Sequence, residues 1–268
     1  MKKMRSRGLT LIELIVVVAI LAVLAMIIIP KLDGLTNVAN HAAASASVND
    51  TGRYLQTFQA SKRRFPDGWD SLTDGTSIWQ ANNPATKTKG LHTAFHSGGK
   101  FTQTTLTQSE LKALNGLGVY TLYDVTSSLL TSKRPGDVFT TTRSINVDTG
   151  ATTAVAVIVN PSTPEGINII NRVYRENGKN GTNGQFYDAA GVAQANRKLV
   201  ALGLGPQNEL IGKLAMEAPS YANVDATLVY NRNIVLFEVG GSKGVFKGVV
   251  AADGDLLDDL TTYINRDM

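Results

Sequence analysis

Apolar and polar positions change their rhythm three times along the chain. From Leu11 to Ile29 every side chain is apolar except Glu13. A helix needs roughly 20 residues to cross about 30 Å of hydrocarbon, and Leu9 to Ile29 supplies 21. From Leu32 the apolar positions Leu32, Leu35, Ala39, Ala42, Ala43, Ala46, Leu55 and Phe58 recur at three and four, with a gap at Gly52. That spacing predicts the amphipathic second half of one long helix ending near Ser61, its apolar face laid on a sheet. The small residues from Ala42 to Ala46 permit close backbone approach, to that sheet or to a neighbouring subunit.

Beyond Ser61 the pattern breaks into short pieces. In ASKRRFPDGWDSLTDG, from Ala60 to Gly75, Pro66 followed by Asp67-Gly68 marks a turn, and Phe65, Trp69 and Leu72 are placed to cover the base of the helix. Lys62, Arg63 and Arg64 read as a solvated helix end favoured by the helix dipole. Thr107 to Glu110 has the capping-box pattern ahead of Leu111 and Leu114, with Asn115-Gly116 as its stop. Val119 to Val125 and Ala154 to Val159 read as strands, the second fully apolar and therefore buried. NGKNGTNGQ, from Asn177 to Gln185, reads as an exposed loop, and Gly191 to Leu202 as a further helix stopped by Gly203, Gly205 and Pro206. Near the C-terminus, Thr227 to Tyr230, Ile234 to Val239 and Gly244 to Ala251 are closely spaced β-rich runs, which predicts an antiparallel three-stranded meander. The class expected is α+β, a long N-terminal helix followed by an antiparallel sheet, with no internal repeat.

Composition narrows the chemistry. With 268 residues, 43% of them apolar, the chain is long enough to bury a sizeable core. Cysteine is absent, which excludes disulfides and thiolate metal sites. The net charge of +4 belongs to the first residues alone: Lys2, Lys3, Arg5 and Arg7 precede Gly8, and without them 22 basic residues face 22 acidic ones. A nucleic-acid partner is therefore not expected. The same four charges, followed by an apolar run that holds none, orient that run with its N-terminus cytoplasmic and the body after Pro30 exported. Cleavage as an ordinary signal peptide is disfavoured, because Met26 to Pro30 are bulky or rigid where small residues are required.

A plain membrane anchor accounts for everything in the run except Glu13. A carboxylate in hydrocarbon costs a few kcal/mol and marks a functional position with a partner. The run contains no Lys or Arg, so the candidates are the basic leader or a new amine. Cutting after Gly8 would create such an amine on Leu9, at the depth of Glu13 in a neighbouring subunit.

Gly8, then Leu9, Thr10, Leu11, Ile12 and Glu13, then an unbroken apolar helix, resembles the prepilin signature of type IV pilins and of the pseudopilins of type II secretion. The resemblance implies cleavage between Gly8 and Leu9 by a membrane-embedded prepilin peptidase, methylation of the Leu9 amine, and assembly into a filament with Glu13 paired to a neighbour's terminal amine. Pro30 stands where many pilins carry a proline. Proline removes a backbone hydrogen bond and Gly34 adds freedom, so a kink or weakened stretch is expected around Ile29 to Gly34; the alternative is that Pro30 ends the membrane helix. Arg64, Phe65 and Pro66 through Leu72 also look like the stretch after the long helix of pseudopilins and minor pilins.

Catalytic chemistry finds little support. His92 and His96 stand at ligand spacing, but Gly90, Gly98 and Gly99 argue against a helix and no acidic third ligand adjoins them. No GxSxG, HExxH or phosphate-loop pattern occurs. In ADGDLLDDL, Asp253, Asp255, Asp258 and Asp259 are either calcium ligands, as some pseudopilins have near the C-terminus, or caps of a final helix, and the spacing lacks a full EF-hand loop. The expected organisation is a leader at 1–8, a transmembrane and filament-core helix at 9–30, its amphipathic continuation at 31–61 and an exported body at 62–268. The expected function is that of a structural subunit of a pilus or secretion pseudopilus, not an enzyme, with copies of itself or related pilins, the peptidase and the membrane as partners. The contrasting possibility is an exported binding protein or adhesin that uses the segment only as an anchor.

Overall fold

The structure, a computed structural model, describes residues 11–79, 89–95, 99–126, 133–174, 186–187, 193–194, 196–221, 224–257 and 259–260, without the side chains of residues 27, 30–34, 186–187 and 193–194. The first helix, α1, runs from Leu11 to Lys62. At 1.5 Å per residue its 52 residues extend about 78 Å. It continues through Pro30, so the proline does not end the helix.

Among the described side chains of α1, only those of the far half are packed. Ala44, Val48, Thr51, Leu55 and Phe58 are buried, a stripe at spacings of four and three that lies on the sheet, with Gly52 facing Val249. This stripe differs from the predicted face, for Leu35, Ala42, Ala43 and Ala46 point outward. Ala44, Val48 and Thr51 lie between those positions, and the polar Thr51 hides the true period. Its hydroxyl donates to the Ser47 carbonyl at 2.8 Å, which satisfies it inside the interface.

The body is a curled, mostly antiparallel sheet built from β1 (Trp69–Asp70), β2 (Phe101–Leu106), β3 (Thr121–Val125), β4 (Phe139–Ser144), β5 (Ala154–Val159), β8 (Lys198–Gly203), β9 (Ile234–Val239) and β10 (Val245–Val250). A separate pair is formed by β6 (Phe186–Tyr187) and β7 (Ala193–Gln194). The main order is β10-β9-β8-β1-β3-β4, with β5 also paired to β8 and β2 to β5. Only β1 and β3 run parallel among these ladders. Helix α2 (Gln108–Leu117) packs on the same face as α1, and α3 (Pro164–Val173) on the other.

Strands β8 and β9 show why the sheet sits between two cores. Val200, Leu202, Val235, Phe237 and Val239 face the helices α1 and α2. Their neighbours Leu199, Ala201, Ile234 and Leu236 face a second core with Leu91, Phe101 and Ile170. The alternation has the period of two that a strand imposes, but both faces are apolar, so the sequence reads as a continuous hydrophobic run.

Two expectations are corrected here. The helix expected from Gly191 to Leu202 is instead β7 and β8, because a short apolar run buried on both faces cannot be told from a buried helix by periodicity. The third strand of the meander is β8, not Thr227 to Tyr230, whose backbone forms a turn closed by the Leu228 and Val229 N–H groups on the Asp225 carbonyl. The capping box does form, the Thr107 N–H donating to the Glu110 carboxylate at 2.7 Å. Its helix ends at Gly118 (φ 100°), two residues past the predicted stop. Phe65, Trp69 and Leu72 are buried as expected, and Phe65 and Trp69 stack edge-on against Phe237. The Asn177 to Gln185 loop lies outside the described residues.

Candidate functional site

The near half of α1 is the most apolar part of the chain and the least covered. Leu11 is 77% exposed, Ile12 71% and Met26 76%, and Leu14 through Leu24 expose about half or more of every large side chain. The exposed residues occupy all faces of the helix, so no single turn toward the body would hide them. A helix that is apolar all round belongs in a protein core or in lipid. Among the described residues no helix is long and apolar enough to cross a membrane; within the apolar run the described side chains are continuous only from Leu11 to Met26.

Glu13 sits in the first turn of α1, on the exposed surface. A carboxylate there is favoured by the unsatisfied N–H groups of the helix start. Gly8 and Leu9 lie outside the described residues, as do the side chains of Pro30 and Gly34, while the helical backbone is continuous across the last two.

Two of the C-terminal aspartates, Asp255 and Asp259, are paired with protein cations. Lys100 Nζ donates to Asp255 Oδ1 at 2.5 Å and to the Asp253 carbonyl at 3.1 Å, and Arg172 pairs with Asp259. Asp253 Oδ1 accepts the Asp255 N–H at 3.1 Å, a local turn. Asp258 lies outside the described residues. Among the described residues no group of three metal-ligating side chains occurs. His92 Nδ1 accepts the Ala94 N–H at 3.2 Å at the start of a short 3-10 turn, and His96 is outside the description.

Several buried polar groups have no signal in the linear pattern. Asn233 ties the body to α1, its side-chain amide donating to Ser47 Oγ at 3.0 Å and Thr51 Oγ1 at 2.9 Å. Arg143 grips Asp124 through Nε at 2.7 Å and Nη2 at 2.8 Å, locking β4 to β3. Asp70 is fully buried, and burial pushes its carboxyl well above the usual carboxylate range although the Tyr230 hydroxyl donates to it at 2.8 Å. Arg64 is not simply solvated: it pairs with Glu209 at 2.7 Å. Hydrogen bonding from Arg64 pulls Glu209 down to about 2.

Residues 3–29 match the family model described as the prokaryotic N-terminal methylation motif, the prepilin-type cleavage and methylation segment of type IV pilins and pseudopilins. Its span takes in the leader from Lys3 onward, Gly8, Leu9, Glu13 and the apolar run. No curated protein and no solved structure matches the chain.

Proposed function

We propose that this protein is the precursor of a filament subunit, held by its N-terminal helix in a bacterial cytoplasmic membrane with the body exported, and assembled into a pilus or secretion pseudopilus. The observation that supports this reading is the methylation motif at residues 3–29, carried on a helix whose apolar side chains are exposed on every face. Lipid covers such a helix before assembly, and the same helix of neighbouring copies covers it afterwards.

In this account a prepilin peptidase cuts between Gly8 and Leu9 and the new Leu9 amine is methylated. Methylation adds one carbon to the amine and leaves it able to carry the positive charge that Glu13 of an adjacent copy requires. Away from water that pair is strong and sensitive to register. Pro30 and Gly34 loosen the helix where it leaves the membrane, because proline cannot donate to the preceding turn. The work is mechanical, with no catalytic residue assigned.

Glu13→Gln tests the pairing. The change preserves shape and removes the charge, so insertion is undiminished or easier by up to ~3 kcal/mol. The expected result is cut monomer accumulating in the membrane, with no filament in the sheared or crosslinked fraction. Equal assembly by wild type and variant would refute Glu13 as the intersubunit partner and leave the segment as an anchor.

A further inference from the structure

A groove of about 490 Å³ opens just past the C-terminal end of α1, the end opposite to the one that carries the apolar run. Its size is that of a small-molecule site. Gly68 forms part of its wall in a conformation with φ 82°, and a Cβ there would stand 2.7 Å from the Gln207 carbonyl oxygen and 3.3 Å from the Tyr123 ring. The close approach of these walls is therefore written into the sequence at Gly68.

The charged groups of the groove are already committed to holding it together. Arg64 Nη1 lies 2.7 Å from Glu209 Oε2, and Lys213 Nζ lies 2.9 Å from Glu209 Oε1. Asp67 Oδ1 accepts the N–H groups of both Tyr120 and Thr121 at 2.8 Å. With Arg64 against Asp67 and Glu209, the described lining carries more negative than positive charge, and its one cation is already paired. A phosphate or carboxylate ligand gains nothing there.

What is left over is hydrogen-bonding capacity beside aromatic surface. Among the described residues no hydrogen bond engages the Gln207 amide, the Tyr120 and Tyr123 hydroxyls or the second Asp67 oxygen, though Arg64 attracts the Asp67 carboxylate, and Tyr120 is 36% exposed. A planar amide that donates and accepts and a carboxylate that accepts, set beside tyrosine rings that present apolar surface, match a ligand with many hydroxyls and C–H faces. The geometry points to a binding site for a neutral saccharide, contacted by Gln207, Tyr120, Tyr123 and Asp67 in a frame held by Arg64 and Glu209. The site stands apart from the assembly helix and does not depend on whether the chain polymerises.

The test uses the full chain in a detergent without a sugar head group, titrated with maltose, lactose, cellobiose and chitobiose and followed by saturation-transfer NMR. At least one disaccharide is expected to bind at millimolar concentration. Gln207→Ala and Tyr120→Ala are each expected to weaken it by about tenfold or more, equivalent to about 1.4 kcal/mol, with thermal melting unchanged. Gln56→Ala, on a different surface, and Glu13→Gln are expected to bind as the unmodified chain does. No transfer from any of the four sugars, transfer that survives both groove variants, or equal binding of inorganic phosphate to the groove would overturn the proposal.

Discussion

The two halves of α1 obey opposite rules. Its near half, Leu11 to Ile29, has the highest density of apolar side chains in the sequence, and none of those described is buried within the chain. Its far half is punctuated by Asn, Ser, Thr and Asp, yet Leu55 is fully buried and Phe58 nearly so. Hydrophobic content therefore does not report where the core of this chain is. In the far half a stripe of five residues suffices, because β10 and the loop at Asn233 meet it. In the near half the apolar surface exceeds anything the body can cover, and its solvent must come from outside the chain.

Four experiments break or sharpen that contrast. Phe58→Ala is expected to destabilise the body by about 3–5 kcal/mol, read by chemical denaturation, whereas Val17→Ala changes the same measurement by less than about 0.5 kcal/mol. Comparable losses from both would mean that the near half packs on the body. Asn233→Ala removes two hydrogen bonds across the α1 interface and is expected to cost about 1–3 kcal/mol, with the loss reduced in a background that already lacks Thr51. Additive effects from Asn233 and Thr51 would show that the two do not act as one contact.

Asp70 supplies a pH test of the body alone. Its folded carboxyl is raised by burial, so below the unfolded value, near 3.8, both states hold the proton and the group is neutral for stability. As pH rises above that value the unfolded chain ionises and the folded one does not, which erodes stability by at most about 1.4 kcal/mol per pH unit until the folded carboxyl ionises too. Asp70→Asn is expected to flatten that decline in a melting series from acid to alkaline pH. An unchanged slope would mean that Asp70 is ionised in the fold. The smallest effect is expected from a chelator. Because Lys100 and Arg172 already neutralise Asp255 and Asp259, calcium removal should leave the melting temperature unchanged. A fall that Asp255→Ala abolishes would restore the calcium reading.

What could be read in advance follows from how locally each feature is determined. The long helix, the capping box at Thr107, the buried strand at Ala154 to Val159 and the hairpin of β9 and β10 rest on neighbouring residues and were all legible. Strand β8 was not, since apolar residues on both faces remove the alternation that identifies a strand. The packed face of α1 was misread because Thr51 and Ser47 find their partner in Asn233, 182 and 186 residues away. The groove at Gly68 was equally hidden, as its walls come from α1's end, β3 and the loop after β8. Of the methylation motif the sequence carried nearly everything, because it lies in consecutive residues near the N-terminus.

The account stands or falls on what happens between Gly8 and Leu9. An intact mass of the mature protein, with sequencing of its first residues, measures that directly. The predicted result is a chain that begins at Leu9 and carries one additional methyl group on its terminal amine. A chain that retains Met1, or one that begins near Ala44, would contradict it.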